Sequence, residues 1–281
     1  MAYPTVSAPY GLKPINLIGG QVFSGSTREM PIQYGYATNI FYGDFVVLSR
    51  GFATRAAIST GTGSNQVTGV FLGCSYTNPS TKQKTFSQYW PASTLAGDAV
   101  AIVCDDPDTV FKAVVCSSGT TVASGGLALI GTNLSMIDNS TGNVNTGDST
   151  NAVLAPTATP VSTILPVRCV GVVPDTSYSF AATGSSSTTA ITLTGTGTPQ
   201  AIPVGASVGY LASNGQLINT GSFVATAAVA GATSVTLNAA IAVPGSVTAI
   251  PSSSTIVFTV YPEILVKMNL LVHGYYSSTT A

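Results

Sequence analysis

The sequence predicts an all-β protein: a β-barrel or β-sandwich core with an extended N-terminal arm and a second, inserted small β domain. Three observations lead there. Short runs rich in β-branched and aromatic residues recur between Gly, Pro, Asn and Ser. Long stretches with a 3.6-residue apolar period and end caps are nearly absent. Charged residues make up only 7% of the 281 positions, whereas an ordinary soluble domain has about 25%.

Residues 1–30 carry Pro4, Pro9 and Pro14, with Pro31 just beyond, and show no clear alternation. They read as an extended arm. Its candidate contact residues are Tyr10, Leu12, Ile15 and Phe23, which face either a neighbouring subunit or the arm's own domain. Strands are predicted at 45–48, 67–72, 99–103 and 110–115, with one helical turn around 123–129. Residues 176–262 then contain no Asp, Glu, Lys or Arg, the sharpest composition shift in the chain. Val, Leu and Ile alternate there with Thr and Ser, which favours half-buried strands over a disordered linker. Within it, 189–194 and 233–238 read as two copies of one edge-forming strand, and Asn214-Gly215 predicts a hairpin with a type I′ turn. Strands at 256–260 and 264–270 follow. The simplest topology makes 179–260 an inserted domain and joins 31–178 to 261–281 as the core domain, its last strand returning to the first sheet.

A formal net charge of −1 and the lack of a Lys/Arg cluster leave no basic surface for nucleic acid. Every apolar run is interrupted before the roughly 20 residues of a spanning helix, so the chain is expected to be soluble or assembled rather than embedded in a membrane. Its start has neither a basic region nor a continuous apolar run of the secretory kind, which predicts folding in a reducing cytoplasm. Cys74, Cys104, Cys116 and Cys169 are widely spaced without a CxxC pair. They are expected to be buried thiols rather than disulfides or a metal set.

Candidate chemistry is sparse. The one histidine, His273, follows nine residues without an acid and reads as structural. No GxSxG, HExxH or P-loop occurs, and the Gly-rich 194–198 segment leads to Pro199 rather than to a helix that would hold a phosphate. No catalytic, cofactor-binding or metal residue is assigned. The most conspicuous acids are Asp105, Asp106 and Asp108, three of the ten in the chain. A calcium shell takes six to eight oxygens, of which these supply part. Pro107 holds Asp106 extended and a strand starts at once, so the simplest reading is a turn capped by Asp side chains. The open question is whether it holds a cation or meets a basic residue of a neighbouring subunit. Trp90, Tyr89 and Tyr76 are either core residues or a sugar-stacking platform, with core packing the simpler reading.

Several segments, taken in order, carry a resemblance: Tyr10-Gly11-Leu12-Lys13-Pro14, residues 35–44, residues 69–77, Tyr89-Trp90-Pro91, Asp105-Asp106-Pro107, and 264–269 followed by His273, Gly274 and Tyr275. The set resembles tailed-bacteriophage virion proteins of the head-decoration, or cement, type. The likeness covers about residues 8–115 and 165–276 and is weak over 117–160. It implies a barrel or sandwich of β-tulip-like form, no enzymatic activity and no cofactor. It further implies a homotrimer on the outer capsid surface that bridges adjacent major capsid proteins, with Tyr10, Leu12, Ile15 and Phe23 as capsid or subunit contacts. Other classes kept open are a tail, neck or fibre component and a carbohydrate-binding adhesive module. On this reading, removing residues 1–30 weakens attachment while leaving the β domains folded.

Overall fold

The computed structural model describes residues 6–18, 20–58, 66–123, 125–155, 165–186, 189–195, 197–198, 201–202, 205–212, 214–238, 250 and 253–275. The start of the chain, Thr196 and Pro199 of the Gly-rich segment, and Ser213 beside the Asn-Gly pair lie outside the described residues. The fold is nearly all β, with 51% of residues in strands and 3% in helix, and its sheets curl like barrels. The predicted helical turn is the single turn Leu127–Leu129.

The first sheet centres on Thr109–Ser118, a strand of Val, Phe, Ala and Cys buried along most of its length. Glu263–Met268 runs antiparallel beside it and Val167–Val172 lies beyond, so the last strand does return to this sheet. The path closes through one short segment. Asn133–Leu134 pairs with the Val167–Val172 strand, while Met136–Ile137, one residue on, pairs with Ala152–Leu154. That strand in turn lies parallel to Thr109–Ser118. A second sheet runs Arg28–Pro31, Val100–Cys104, Gly69–Thr77, Phe45–Ser49, Phe52–Arg55, with Lys84–Ser87 beside Gly69–Thr77. Phe45, Val67, Val70 and Cys104 from this part of the chain join the core under the first sheet, while Met30, Phe71, Tyr76 and Trp90 form a core of their own.

The uncharged region builds the third sheet, ordered Leu217–Phe223, Ser207–Leu211, Ser254–Val260, Tyr178–Ser186, Ala190–Leu193, Ser234–Thr236. In Ser254–Val260 the alternation is regular: Ile256, Phe258 and Val260 are buried and their neighbours half-exposed. Its core contains only residues of this region. The two outermost strands are tied to each other, because Ala225 N–H donates to Thr236 C=O and Asn238 N–H to Phe223 C=O, at 2.9 and 3.0 Å. This closure corrects the expectation of two edge strands. Ala190–Leu193 lies inside the sheet, paired with Ser234–Thr236 itself, and the latter has its far side occupied.

The Asn-Gly hairpin also takes another form. Gly215 has a φ of +79°, while Asn214 is not among the described residues with positive φ. Gly215 N–H donates to Ala212 C=O, and Ala212 N–H to Gln216 C=O. A type I′ turn needs positive φ at both residues, so this turn is of another type, with Gly215 in the left-handed region and Asn214 outside it.

The N-terminal segment takes the second of its two expected placements, on its own domain. Lys13–Leu17 pairs with Thr109–Ser118, and Arg28–Pro31 pairs with Val100–Cys104. Leu12 is fully buried in the main core. Two glycine backbones make that docking fit: Gly11 and Gly43 approach so closely that a Cβ on Gly11 would lie 2.8 Å from Gly43 O. Leu12 N–H donates to the same carbonyl. Lys13–Leu17 and Arg28–Pro31 are thus strands of the chain's own sheets.

Leu12→Ala is therefore expected to lower unfolding free energy by about 2–5 kcal/mol in a denaturant titration, and deletion of residues 1–30 to abolish cooperative unfolding. A truncated chain that melts like the full one would refute this account of the arm.

Candidate functional site

The acidic turn joins Val100–Cys104 to Thr109–Ser118, and each of its side chains has a task. Asp106 accepts a hydrogen bond from Asp108 N–H at 2.9 Å and its carbonyl accepts from Thr109 N–H, which fixes the turn locally. Asp105 is bound by Arg28 Nε at 2.9 Å and by the Tyr275 hydroxyl at 2.9 Å. Asp108 lies 3.5 Å from Lys267 Nζ. The basic partners of Asp105 and Asp108 belong to the same chain, a possibility the open question had not included. Among the described residues no three His, Cys, Asp or Glu side chains gather as a metal-holding group.

His273 is fully buried, with Nε2 3.0 Å from Asp105 C=O and its ring beside Tyr275. Burial pushes its pKa down, and the contact with Asp105 offsets this in part. Burial and the bond to Asp105 raise the Tyr275 phenol. The histidine joins the C-terminal segment to the acidic turn.

A second polar cluster surrounds Tyr10. Lys13 and Lys112 sit opposite each other in the antiparallel pair, an arrangement that is repulsive by itself. Both ammonium groups lie over the Tyr10 ring, at 4.7 and 5.6 Å from its centroid. Each has an acid: Asp148 at 3.2 Å for Lys13 and Glu263 at 3.4 Å for Lys112. The Tyr10 hydroxyl donates to buried Glu263 at 2.5 Å. Burial first, then this bond, drives the phenol far above its ordinary range. Glu263 was not recognisable as a partner because 253 positions separate it from Tyr10.

Of the four candidate contact residues, Leu12 is spent on the chain's own core and Tyr10 on Glu263. Phe23 packs half-buried against the main core. Ile15 is exposed, at 41%. The structure does not gather the four into one surface.

A further charged network escaped the sequence. Asp44, fully buried, accepts from Phe41 N–H, Arg55 Nε, Ser149 Oγ and Asn151 Nδ2. Arg55 also pairs with Asp138. Burial raises the Asp44 pKa, opposed by Ser149, Phe41 and Arg55. The network fastens the loop around 138–151 to the second sheet.

Two of the aromatic trio are packed in the core. Trp90 is fully buried, edge-on to buried Tyr76 at 5.4 Å, and donates Nε1–H to Tyr36 C=O, while Tyr89 stacks on Phe41. All four cysteines are free and buried. Burial pushes Cys74 up to about 12 and Cys116 and Cys169 to about 11. An open groove of about 550 Å³ runs along the second sheet between Lys13, Tyr42, Leu72, Phe86 and Gln88.

No family model and no curated protein matches this chain.

Two outcomes are expected from these environments. Because thiolate formation is suppressed at buried cysteines, an aromatic disulfide reagent at pH 8 should titrate none of the four in the native protein and all four in denaturant; rapid native labelling would contradict their burial. His273 has a folded pKa below its unfolded value of 6.5. The unfolded chain therefore binds more protons as pH drops through 6.5, and stability is lost from there downward to the folded pKa. Melting temperature should fall as pH drops below about 6.5, and this component should vanish in His273→Asn; an identical pH profile in the variant would exclude His273 as its source.

Proposed function

We propose that this chain is a structural component of a tailed-phage virion: a cement protein, without enzymatic activity, that binds the outer surface of the head and bridges adjacent major capsid proteins. The observation that carries the reading is the exposure of large apolar side chains on a charge-poor surface. Val22 is 80% exposed, Phe86 77%, Val229 74%, Leu271 63% and Tyr34 61%. Isolated exposed apolar residues are ordinary in a monomer. With 7% charged residues in the chain, few charges surround them to keep copies and partners apart. A shell-bridging role asks for area rather than a deep pocket, and many modest contacts add up when copies are multiplied over a capsid.

The ordered motifs that resemble decoration proteins support the same reading. They include the Asp105-Asp106-Pro107 turn and the 264–275 ending, which the structure brings together through Asp105, His273 and Tyr275. The sugar-binding alternative is weakened by the burial of Trp90 and Tyr76.

The test uses phage heads that lack this protein, mixed with the purified chain and imaged by electron cryomicroscopy. Expected is added density at regular positions on the outer surface, in a number fixed by capsid symmetry. Heads that stay bare at saturating protein, or density confined to the tail or neck, would overturn the reading.

A further inference from the structure

The acidic turn is the hub of one end of the molecule, and most of the surface around it is identifiable. Ile18 N–H donates to Asp108 C=O, placing the hairpin that follows Lys13–Leu17 beside Asp108. Val22 pairs back onto Asn16 in that hairpin. On the Asp105 side stand Arg28 and Tyr275, the guanidinium 5.2 Å from the ring centroid. The helical turn Leu270–Val272 lies between Lys267, which reaches Asp108, and His273, which reaches Asp105.

This end is apolar beyond what one chain covers: Val22 is 80% exposed, Leu271 63%, Ile18 48% and Tyr275 44%. Among its ion-paired groups, one of each sign keeps most of its side chain in solvent, in separate places. The Arg28 side chain remains 61% exposed after binding Asp105, and that of Asp108 64% exposed beside Lys267. A face with a cation on one flank and an anion on the other, set in apolar side chains, is complementary to itself. When a second copy approaches across a symmetry axis near Pro107, Arg28 of each copy can meet Asp108 of the other, and apolar residues fill the space between.

We infer that this end is a contact between copies of this chain, with Arg28 of one copy paired to Asp108 of the next and with Val22, Ile18, Leu271 and Tyr275 as the apolar filling. The inference rests on self-association alone, not on the presence of a capsid, so it can fail while the cement reading stands, and the reverse.

The experiment measures the mass of the purified full chain by sedimentation equilibrium over a wide concentration range, for the wild type, Arg28→Glu, Asp108→Lys, an equimolar mixture of these two, and Leu271→Asp. The wild type should show a multiple of the 28.4 kDa chain mass. Each single charge reversal should raise the concentration needed for association by on the order of tenfold or more, because like charges then meet across the contact. In Arg28→Glu the new carboxylate faces Asp108 of the next copy, and in Asp108→Lys the new ammonium faces Arg28. The mixture should recover association. In a mixed pair the carboxylate introduced by Arg28→Glu meets the ammonium introduced by Asp108→Lys, and the two native side chains, Arg28 of one copy and Asp108 of the other, still meet each other. Leu271→Asp tests the apolar part at a site too exposed to threaten folding, and should also dissociate the copies. Circular dichroism of each variant confirms that it is folded. A wild type that stays at the single-chain mass throughout overturns the inference. So does an oligomer that all the variants leave unchanged, or a mixture no better associated than its two components.

Discussion

Thr109–Ser118 pairs with four strands, and the rest of the molecule is arranged around it. Its first half lies between Lys13–Leu17 and Glu263–Met268, so it holds the N-terminal and C-terminal parts of the chain side by side. Its second half turns to Ala152–Leu154 and Thr121–Val122. Buried backbone amides must find partners, and a ten-residue strand with little side-chain exposure leaves nearly all of its own to be satisfied by other strands. The acidic turn that introduces this strand is therefore a fixed point. Asp106 sets its geometry, Lys267 reaches Asp108 from a strand paired with this one, and Arg28 reaches Asp105 from the strand beside Val100–Cys104.

Charge scarcity sharpens this arrangement. Seven of the ten acids are ion-paired in the structure, and most of the pairs join segments far apart in sequence. They differ in weight. Lys84–Asp98 is solvent-exposed on both sides and contributes little. Asp44–Arg55 is buried, and removing one partner would strand the other charge in the interior, at a cost of about 3–5 kcal/mol. The third sheet has no charges to use and satisfies its polar groups with hydroxyls instead, as where Thr220 Oγ1 donates to Val208 C=O and Thr198 Oγ1 to Val229 C=O.

What the sequence made legible follows from the range of each interaction. Strands such as 45–48, 99–103 and 110–115 were readable because β-branched runs and turn residues are local signals, and the structure places Phe45–Ser49, Val100–Cys104 and Thr109–Ser118 there. The turn at Asp105–Asp108 was readable for the same reason. Partnerships were not. Nothing near Tyr10 announces Glu263, and nothing near Asp105 announces Arg28 and Tyr275, because pairing across 77 to 253 positions is decided by register rather than by neighbours. The Pro-rich start misled for a related reason. Proline breaks alternation, yet Pro14 and Pro31 both sit in strands, each with a backbone partner: Pro14 opposite Phe111 and Pro31 opposite Val100. The closure of the third sheet was hidden as well, since it depends on 223–225 meeting 236–238 and on no feature of either segment alone.

Closure also governs how such a molecule can touch others. A sheet that ends in free strands offers its backbone to any extended partner, which gives affinity with little selectivity. Here the first and third sheets return on themselves, so much of the backbone is already committed and recognition passes to side chains on loops and strand ends. Those side chains are apolar far more often than charged. A face built mainly of apolar groups selects partners by shape, and the few charges it does carry decide orientation. Arg28 and Asp108 are placed to serve that purpose: each is held in position by a partner within the chain, while most of its side chain stays in solvent.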